Sequence, residues 1–202
     1  MSKKWITVER EYGSGGTEIG RKVAELAGVP FYGREILEKV SELSGVDIDR
    51  IEDYEETATG GLAYSMLAMS QSVSGTEDML SPQDKVYIQE QRVIMELARK
   101  ESAVFLGHCA AEAIEDKEKI IRVFIRCSDA KAKKDRIIKE YGIAPGKVDS
   151  VRRKFDKKRA NYYVANTGKR WDDFLNYDVV LDSGRLGIDG CVKALERLLE
   201  KD

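Results

Sequence analysis

The sequence predicts an α/β fold, a three-layer α/β/α sandwich with a parallel sheet in the middle. Two observations carry that expectation. Short apolar runs alternate along the chain with stretches of helical periodicity, the pattern of a sheet covered on both faces by its crossover helices. The first of these runs also ends in a glycine-rich loop that opens into a helix. Composition agrees. Of 202 residues, 42% are hydrophobic and 35% charged, a globular balance with length enough for a full core in one domain, residues 1–202.

Trp5-Ile6-Thr7-Val8 is the first strand, and Gly13-Ser14-Gly15-Gly16 follows it. Ile19, Val23, Leu26 and Ala27 then mark one buried helical face that Gly28 stops. Phe31-Tyr32 reads as a short strand, and Ile36, Leu37, Val40 and Leu43 as the next helical face. Between Asp47 and Pro82 the periodicity weakens, and small residues with Met66, Met69 and Met79 predict a mobile, mostly helical insert. A long helix is expected from about Gln83 to Arg99, with Val86, Ile94, Leu97 and Ala98 facing the core. Ala103–Gly107, Lys119–Arg126 and Tyr177–Asp182 are the remaining strands. Helices are expected through Ala113, over Asp129–Tyr141, over about Asp149–Tyr162, and at the C-terminus through Val192, Leu195, Leu198 and Leu199.

Several classes of function are excluded. With 34 Lys+Arg against 36 Asp+Glu the net charge is −2, which disfavours a duplex-binding protein. Cys109, Cys127 and Cys191 stand apart with no Cys-x-x-Cys, and His108 is the one histidine, so neither a disulfide framework nor a multi-histidine metal site can be built. No protein metal ligand is assigned. No apolar run reaches even ten residues, and the first ten turn charged too soon for a signal peptide; a cytoplasmic location without membrane attachment is the expectation.

The loop carries the chemistry. Backbone N–H groups of a glycine turn and the positive end of a helix converge on one spot, and glycines leave room for phosphate oxygens. Gly13, Ser14, Gly15, Gly16 and Thr17 are therefore a phosphate-cradle candidate; the alternative is a tight turn without a ligand. A dinucleotide fingerprint does not fit, because no Gly-x-Gly-x-x-Gly can be read here.

The opening residues, Arg10-Glu11-Tyr12-Gly13-Ser14-Gly15-Gly16, resemble the start of the cytidylate-kinase-like family. The resemblance returns at Gly107, at Asp156–Tyr163, at Thr167–Trp171 and at Val180–Ser183, and is weakest over residues 50–90. It implies a P-loop nucleoside-monophosphate-kinase fold with a helical monophosphate-binding insert at residues 33–95 and a basic lid at residues 147–170. It also implies ATP and Mg²⁺ as cofactors and a small nucleotide as partner; a homo-oligomer is compatible with it. The departures are specific. Gly-x4-Gly-Lys-Ser/Thr is not met, and gap-free matching puts Gly16 at the lysine position and Glu18 at the Mg²⁺-coordinating hydroxyl. Arg10, at the loop mouth, is the candidate replacement cation; an ion pair with Glu9 or Glu11 is the alternative. Gly33 replaces an expected aspartate, leaving Arg34 nearby, and His108-Cys109 stands where the family pattern calls for Arg-Asp, so Arg34 and His108 are the acceptor-binding candidates.

Lys147, Arg152, Arg153, Lys154, Lys157, Lys158 and Arg159 form a basic run in which Arg152, Asp156 and Arg159 share one helical face. Phosphoryl transfer needs such charge to close over the transferred group. The resemblance places Arg152 and Arg159 at lid-arginine positions with Asp156 orienting them, and these three are the catalytic candidates; a solvated face is the alternative. Tyr162, Tyr163 and Trp171 flank the run and leave single-stranded nucleic acid as a minor reading. The function expected is transfer of the ATP γ-phosphoryl group to a nucleoside monophosphate or other small acceptor. A catalytically impaired nucleotide- or anion-binding module of the same fold is the alternative.

Overall fold

The computed structural model describes residues 4–56 and 80–199. Each apolar run forms a strand: β1 (Trp5–Arg10), β2 (Phe31–Tyr32), β3 (Ala103–Leu106), β4 (Ile120–Arg126) and β5 (Val179–Asp182). They make one sheet in the order β2-β3-β1-β4-β5, and every neighbouring pair is parallel. The helices are α1 (Gly16–Ala27), α2 (Arg34–Ser44), α3 (Ile48–Glu56), α4 (Pro82–Lys100), α5 (Ala110–Ala113), α6 (Ala130–Tyr141), α7 (Val148–Thr167) and α8 (Ser183–Leu199). The chain winds to one side of β1 through β3 and to the other through β5. The sheet therefore reverses direction at the C-terminal end of β1, where open α/β sheets leave a crevice for ligands.

Alternation along the strands sends side chains to two cores. On one face Ile6, Val8, Val104, Val123 and Ile125 meet Ile19 and Val23 of α1 and Val192 and Leu195 of α8. On the other, Trp5, Phe105 and Ile120 meet Ile36, Leu37 and Val40 of α2 and Val86, Val93, Ile94 and Leu97 of α4. Helices thus cover both faces, as the continuous apolar strands require. Local signals set the helix ends: Gly28, Gly45, Gly142 and Gly168 stop four helices in the left-handed conformation, while Ser81 and Asp129 cap two N-termini.

Some expectations need adjustment. α7 runs on to Thr167 rather than ending near Tyr162, because Asn166 and Thr167 bond back to the carbonyls of Tyr162 and Tyr163 and are buried. α8 begins at Ser183 and is kinked at Gly187. Leu26 and Leu43 are 58% and 68% exposed instead of buried, since both lie in the last turn before a glycine cap, where the chain turns back to the surface. Within residues 33–95 the structure gives α2, α3 and α4; residues 57–79, with Met66, Met69 and Met79, lie outside the described residues. Among the described residues no helix is long and apolar enough to cross a membrane.

Leu195 is fully buried between α8 and the sheet, whereas Leu175 is 93% exposed. Leu195→Ala is expected to lower unfolding stability by about 2–5 kcal/mol and Leu175→Ala by less than about 0.5, read from urea denaturation.

Candidate functional site

The loop between β1 and α1 is clamped from several directions. Ser14, fully buried, donates its amide to Glu11 O at 3.1 Å and accepts the Gly16 amide on Oγ at 3.3 Å. The Ser14 carbonyl accepts the Ser183 hydroxyl at 2.6 Å. The Glu11 carboxylate accepts Lys133 Nζ at 2.7 Å and the Cys127 amide at 2.9 Å, tying the loop to α6 and to the end of β4. Arg136 donates to the Gly13 carbonyl at 2.6 Å. Gly13 and Gly15 take φ of 76° and 80°, a region that side-chain-bearing residues avoid. Gly15 is the N-cap of α1, so the first-turn amides of Thr17 and Glu18, which have no intrahelical acceptor, face the crevice with the helix dipole behind them. Glu18 is drawn along the helix to Lys22 at 3.0 Å, which turns its charge from the loop.

Gly16, at the position of the expected lysine, is crowded. A Cβ there would stand 2.5 Å from Arg10 Cβ and 2.9 Å from Arg10 Cγ. The stem of Arg10 thus fills the space into which a side chain at 16 would project. Its guanidinium continues to the end of β3, where Nη1 would be 2.6 Å from a Cβ on Gly107.

Beside the loop lies a cavity of about 510 Å³. Arg10, Thr17, Arg34, His108 and Arg159, all singled out in the sequence, line it together. The glycines of the loop, Ser14, Arg152 and Asp156 do not line it. Arg34 is at the rim, 60% exposed on its side chain and paired with Glu52 at 3.4 Å. Arg21 also lines the cavity and stacks on Phe31, 4.7 Å from the ring centroid.

The basic helix α7 is docked on the loop. Asp156 accepts the Tyr12 amide at 2.6 Å, Arg152 pairs with Asp156 at 3.6 Å, and Arg159 donates to the Arg10 carbonyl at 2.9 Å. Phe155 stacks on Tyr12 with centroids 4.6 Å apart, and the Arg159 guanidinium lies over the same ring, 5.6 Å from its centroid. Burial holds the Asp156 carboxyl above its ordinary pKa against the pull of the Tyr12 amide and Arg159. Burial first, and then the charge of Arg10, press the Arg159 guanidinium down to about 9. Such a group is under electrostatic pressure that an anion would relieve. The aromatics beside the basic run are engaged inside the protein: Tyr163 and Trp171 are buried, Trp171 donates to Glu9 at 3.1 Å, and Tyr162 donates to Glu90.

Lys133, Arg136, Ser183, Glu90 and Gln91 did not stand out in the sequence. Arg136 is one charge among many on α6, and its contact with Gly13 spans 123 residues. In the sequence Ser183 only closes the stretch Val180–Ser183 that carries the resemblance; the structure makes it a strut under Ser14. Among the described residues no group of three or more His, Cys, Asp or Glu could hold a metal ion.

A parallel five-stranded sheet of this order, with a glycine loop at the reversal point and helices on both faces, is the fold of P-loop kinases. A crystal structure of an uncharacterized protein from Eubacterium ventriosum ATCC 27560 matches with a TM-score of 0.72 at 23% identity, covering 99% of this chain and 100% of that one. A shikimate kinase from Bacteroides thetaiotaomicron matches with a TM-score of 0.50 at 15% identity over 99% and 100% of the two chains. A Thermus thermophilus protein matches with 0.52 at 17% identity over the whole of both. No curated protein matches by sequence. The family match is direct: residues 5–185 fit the cytidylate kinase-like family, and the chain belongs to it. It therefore has a nucleotide-binding, kinase-like fold.

Gly16→Ala forces a methyl group against the stem of Arg10 and the start of α1. A loss of about 1–3 kcal/mol in unfolding free energy is expected in denaturant titration; a neutral result would show that the loop has slack there.

Proposed function

We propose that the protein is a phosphotransferase that binds ATP at Gly13–Thr17 and passes its γ-phosphoryl group to a nucleoside monophosphate or another small acceptor in the adjoining cavity. The observation that carries this reading is the meeting of Arg10 and Arg159 between loop and cavity, with the stem of Arg10 in the space of the missing residue-16 side chain. In this reading Gly13, Ser14, Gly15, Gly16 and Thr17 hold the donor phosphates through backbone amides and the dipole of α1. Arg136, fixed on the Gly13 carbonyl, adds positive charge beside them. Arg10 takes the part of the absent lysine, gripping oxygens with a guanidinium fork in place of an ammonium. Arg159 faces the charge that develops on the transferring group, while Asp156 and Arg152 hold the helix that carries it. Arg34 and His108 stand at the acceptor end.

Thr17 would offer a hydroxyl to a Mg²⁺ ion arriving with the triphosphate. When bound, that ion would neutralise the phosphate oxygens. The acceptor oxygen attacks phosphorus in line as the bond to the leaving diphosphate breaks, and positioning with charge stabilisation suffices without a strong protein base.

The second reading is a nucleotide- or anion-binding module without turnover. The glycine at position 16 and the departures at Gly33 and His108-Cys109 favour it.

Thermal-shift measurements with ATP, Mg²⁺-ATP and a panel of nucleoside monophosphates, followed by an ADP-release assay, decide between the two. Acceptor-dependent ADP release supports transfer; stabilisation alone supports the module, and no response to any triphosphate rejects transfer. Arg10→Ala is expected to weaken triphosphate binding by about 1.5–3 kcal/mol in calorimetry. Because burial and the neighbouring Arg10 lower the pKa of Arg159, triphosphate affinity should fall on the alkaline side. The alkaline fall should be absent in Arg159→Ala.

A further inference from the structure

Among the described residues three carboxylates line the cavity, Glu9, Glu35 and Glu52, and none of them is needed to hold a triphosphate. Two lie on α2 and α3 and are engaged there. Glu35 accepts the Gly33 amide at 2.8 Å at the start of α2, and Glu52 of α3 pairs with Arg34 at 3.4 Å. Glu9 differs in place and in partner. It stands on β1 directly before Arg10, so it is carried by the strand that feeds the glycine loop. Alternation along that strand puts Val8 in the core under α1 and turns Glu9 to the opposite face, toward Trp171.

Trp171 donates its indole N–H to Glu9 Oε2 at 3.1 Å, and among the described residues it is the one hydrogen-bond donor to that carboxylate. The indole is itself fixed. Trp171 is buried, meets Phe124 edge to face with centroids 5.1 Å apart, and accepts the Tyr177 phenol on its carbonyl at 2.8 Å. A neutral donor held in this way directs a carboxylate without cancelling its charge. That charge is felt by Arg159, whose cation it favours. What such a group can do depends on the acceptor. A phosphate acceptor is served by positioning and charge alone, since its oxygen is already an anion, and a carboxylate beside it is repulsive. An alcohol oxygen must lose its proton as it bonds to phosphorus, and a positioned carboxylate can take it. The remaining wall suits the alcohol: Arg34 is tied to Glu52, Arg21 lies over the Phe31 ring, and His108 stands where the family pattern carries an arginine for phosphate.

We propose that Glu9 is a catalytic residue, the proton acceptor for an uncharged, hydroxyl-bearing small molecule, a nucleoside or a sugar, that takes the γ-phosphoryl group in this cavity. The acceptor oxygen bonds to the γ-phosphorus as the bond from that phosphorus to the β–γ bridging oxygen breaks. ADP leaves with the electron pair, and the hydroxyl proton passes to Glu9 Oε1 and from there to water. The products are a phosphate ester, ADP and one proton. The proposal rests on the phosphotransferase reading and narrows its acceptor.

The test measures ADP release by the full chain with Mg²⁺-ATP and two acceptor panels, nucleosides and monosaccharides in one and nucleoside monophosphates in the other. Release is expected with a member of the first. Glu9→Gln, which can still accept the Trp171 N–H, should lower kcat with that acceptor by about 10²–10⁴-fold while KM and the ATP-induced thermal shift stay near wild type. Trp171→Phe loses the hydrogen bond but keeps the carboxylate, and should retain most of the turnover. An equal loss in both variants would assign the effect to the Glu9–Trp171 contact and overturn the proton role. So would a Glu9→Gln protein whose kcat stays within about tenfold of wild type. If Glu9→Gln does not fold, Glu9→Asp serves instead: drawing the carboxylate back by one methylene should cost about tenfold or more in kcat, and an unchanged kcat counts against the proposal. Release with nucleoside monophosphates alone overturns the proposal and leaves the transferase reading standing. No release with either panel removes the transferase reading, and this proposal falls with it.

Discussion

Arg10 leaves the last position of β1 and crosses the first turn of α1 to reach the end of β3, and the space for that path is made by two glycines. A side chain at 16 would collide with its stem and one at 107 with its guanidinium. Its own carbonyl is held by Arg159. One side chain thereby joins the glycine loop, the adjoining cavity and the basic helix. The loop itself tolerates the absence of a lysine because its shape is fixed from outside, by Lys133 and the Cys127 amide on Glu11, by Arg136 on Gly13, and by Ser183 on Ser14. Those contacts rest in turn on strands that end side by side, which the parallel sheet guarantees.

The basic run that resembles a lid is, in this structure, bonded to the loop rather than spread into solvent. Asp156 takes the Tyr12 amide, Phe155 stacks on the Tyr12 ring, and Arg159 reaches the carbonyl of Arg10. Of the two arginines that share a helical face, Arg159 enters the cavity while Arg152 stays with Asp156. Charge on this helix is therefore graded by position. The arginine nearest the loop is the one whose cationic form the protein destabilises, and so the one with most to gain from an anion.

Much of the fold was legible in the residues. Ile6 and Val8, Val104, and Val123 with Ile125 are apolar because their strands are covered on both sides, and that signal is local. The glycine loop was legible for the same reason: Gly13 and Gly15 need backbone conformations that few other residues adopt. Helix ends were less so. α7 outruns its periodic pattern because Asn166 and Thr167 find acceptors one turn back, and α8 starts early across a kink at Gly187. In the site, Arg10, Thr17, Arg34, His108 and Arg159 could be picked out and do share a cavity. Arg136, Glu90 and Gln91 could not, since each looks like an ordinary member of a charged or polar helix, and Ser183 showed only as the end of a stretch after the last strand.

Sequence alone determined the succession of strands and helices, the glycine loop, the scarcity of histidine and cysteine, and the family. Each is written in residues close together in the chain, where periodicity and turn chemistry act. Only the tertiary structure decided which of the many cations serve the loop and which carboxylate faces His108. The Arg136–Gly13 and Ser183–Ser14 contacts bridge 123 and 169 residues, and Glu90 reaches His108 from another element altogether. Such pairings leave no periodic trace, because they are set by how the sheet orders its strands and by which helix faces it then brings together.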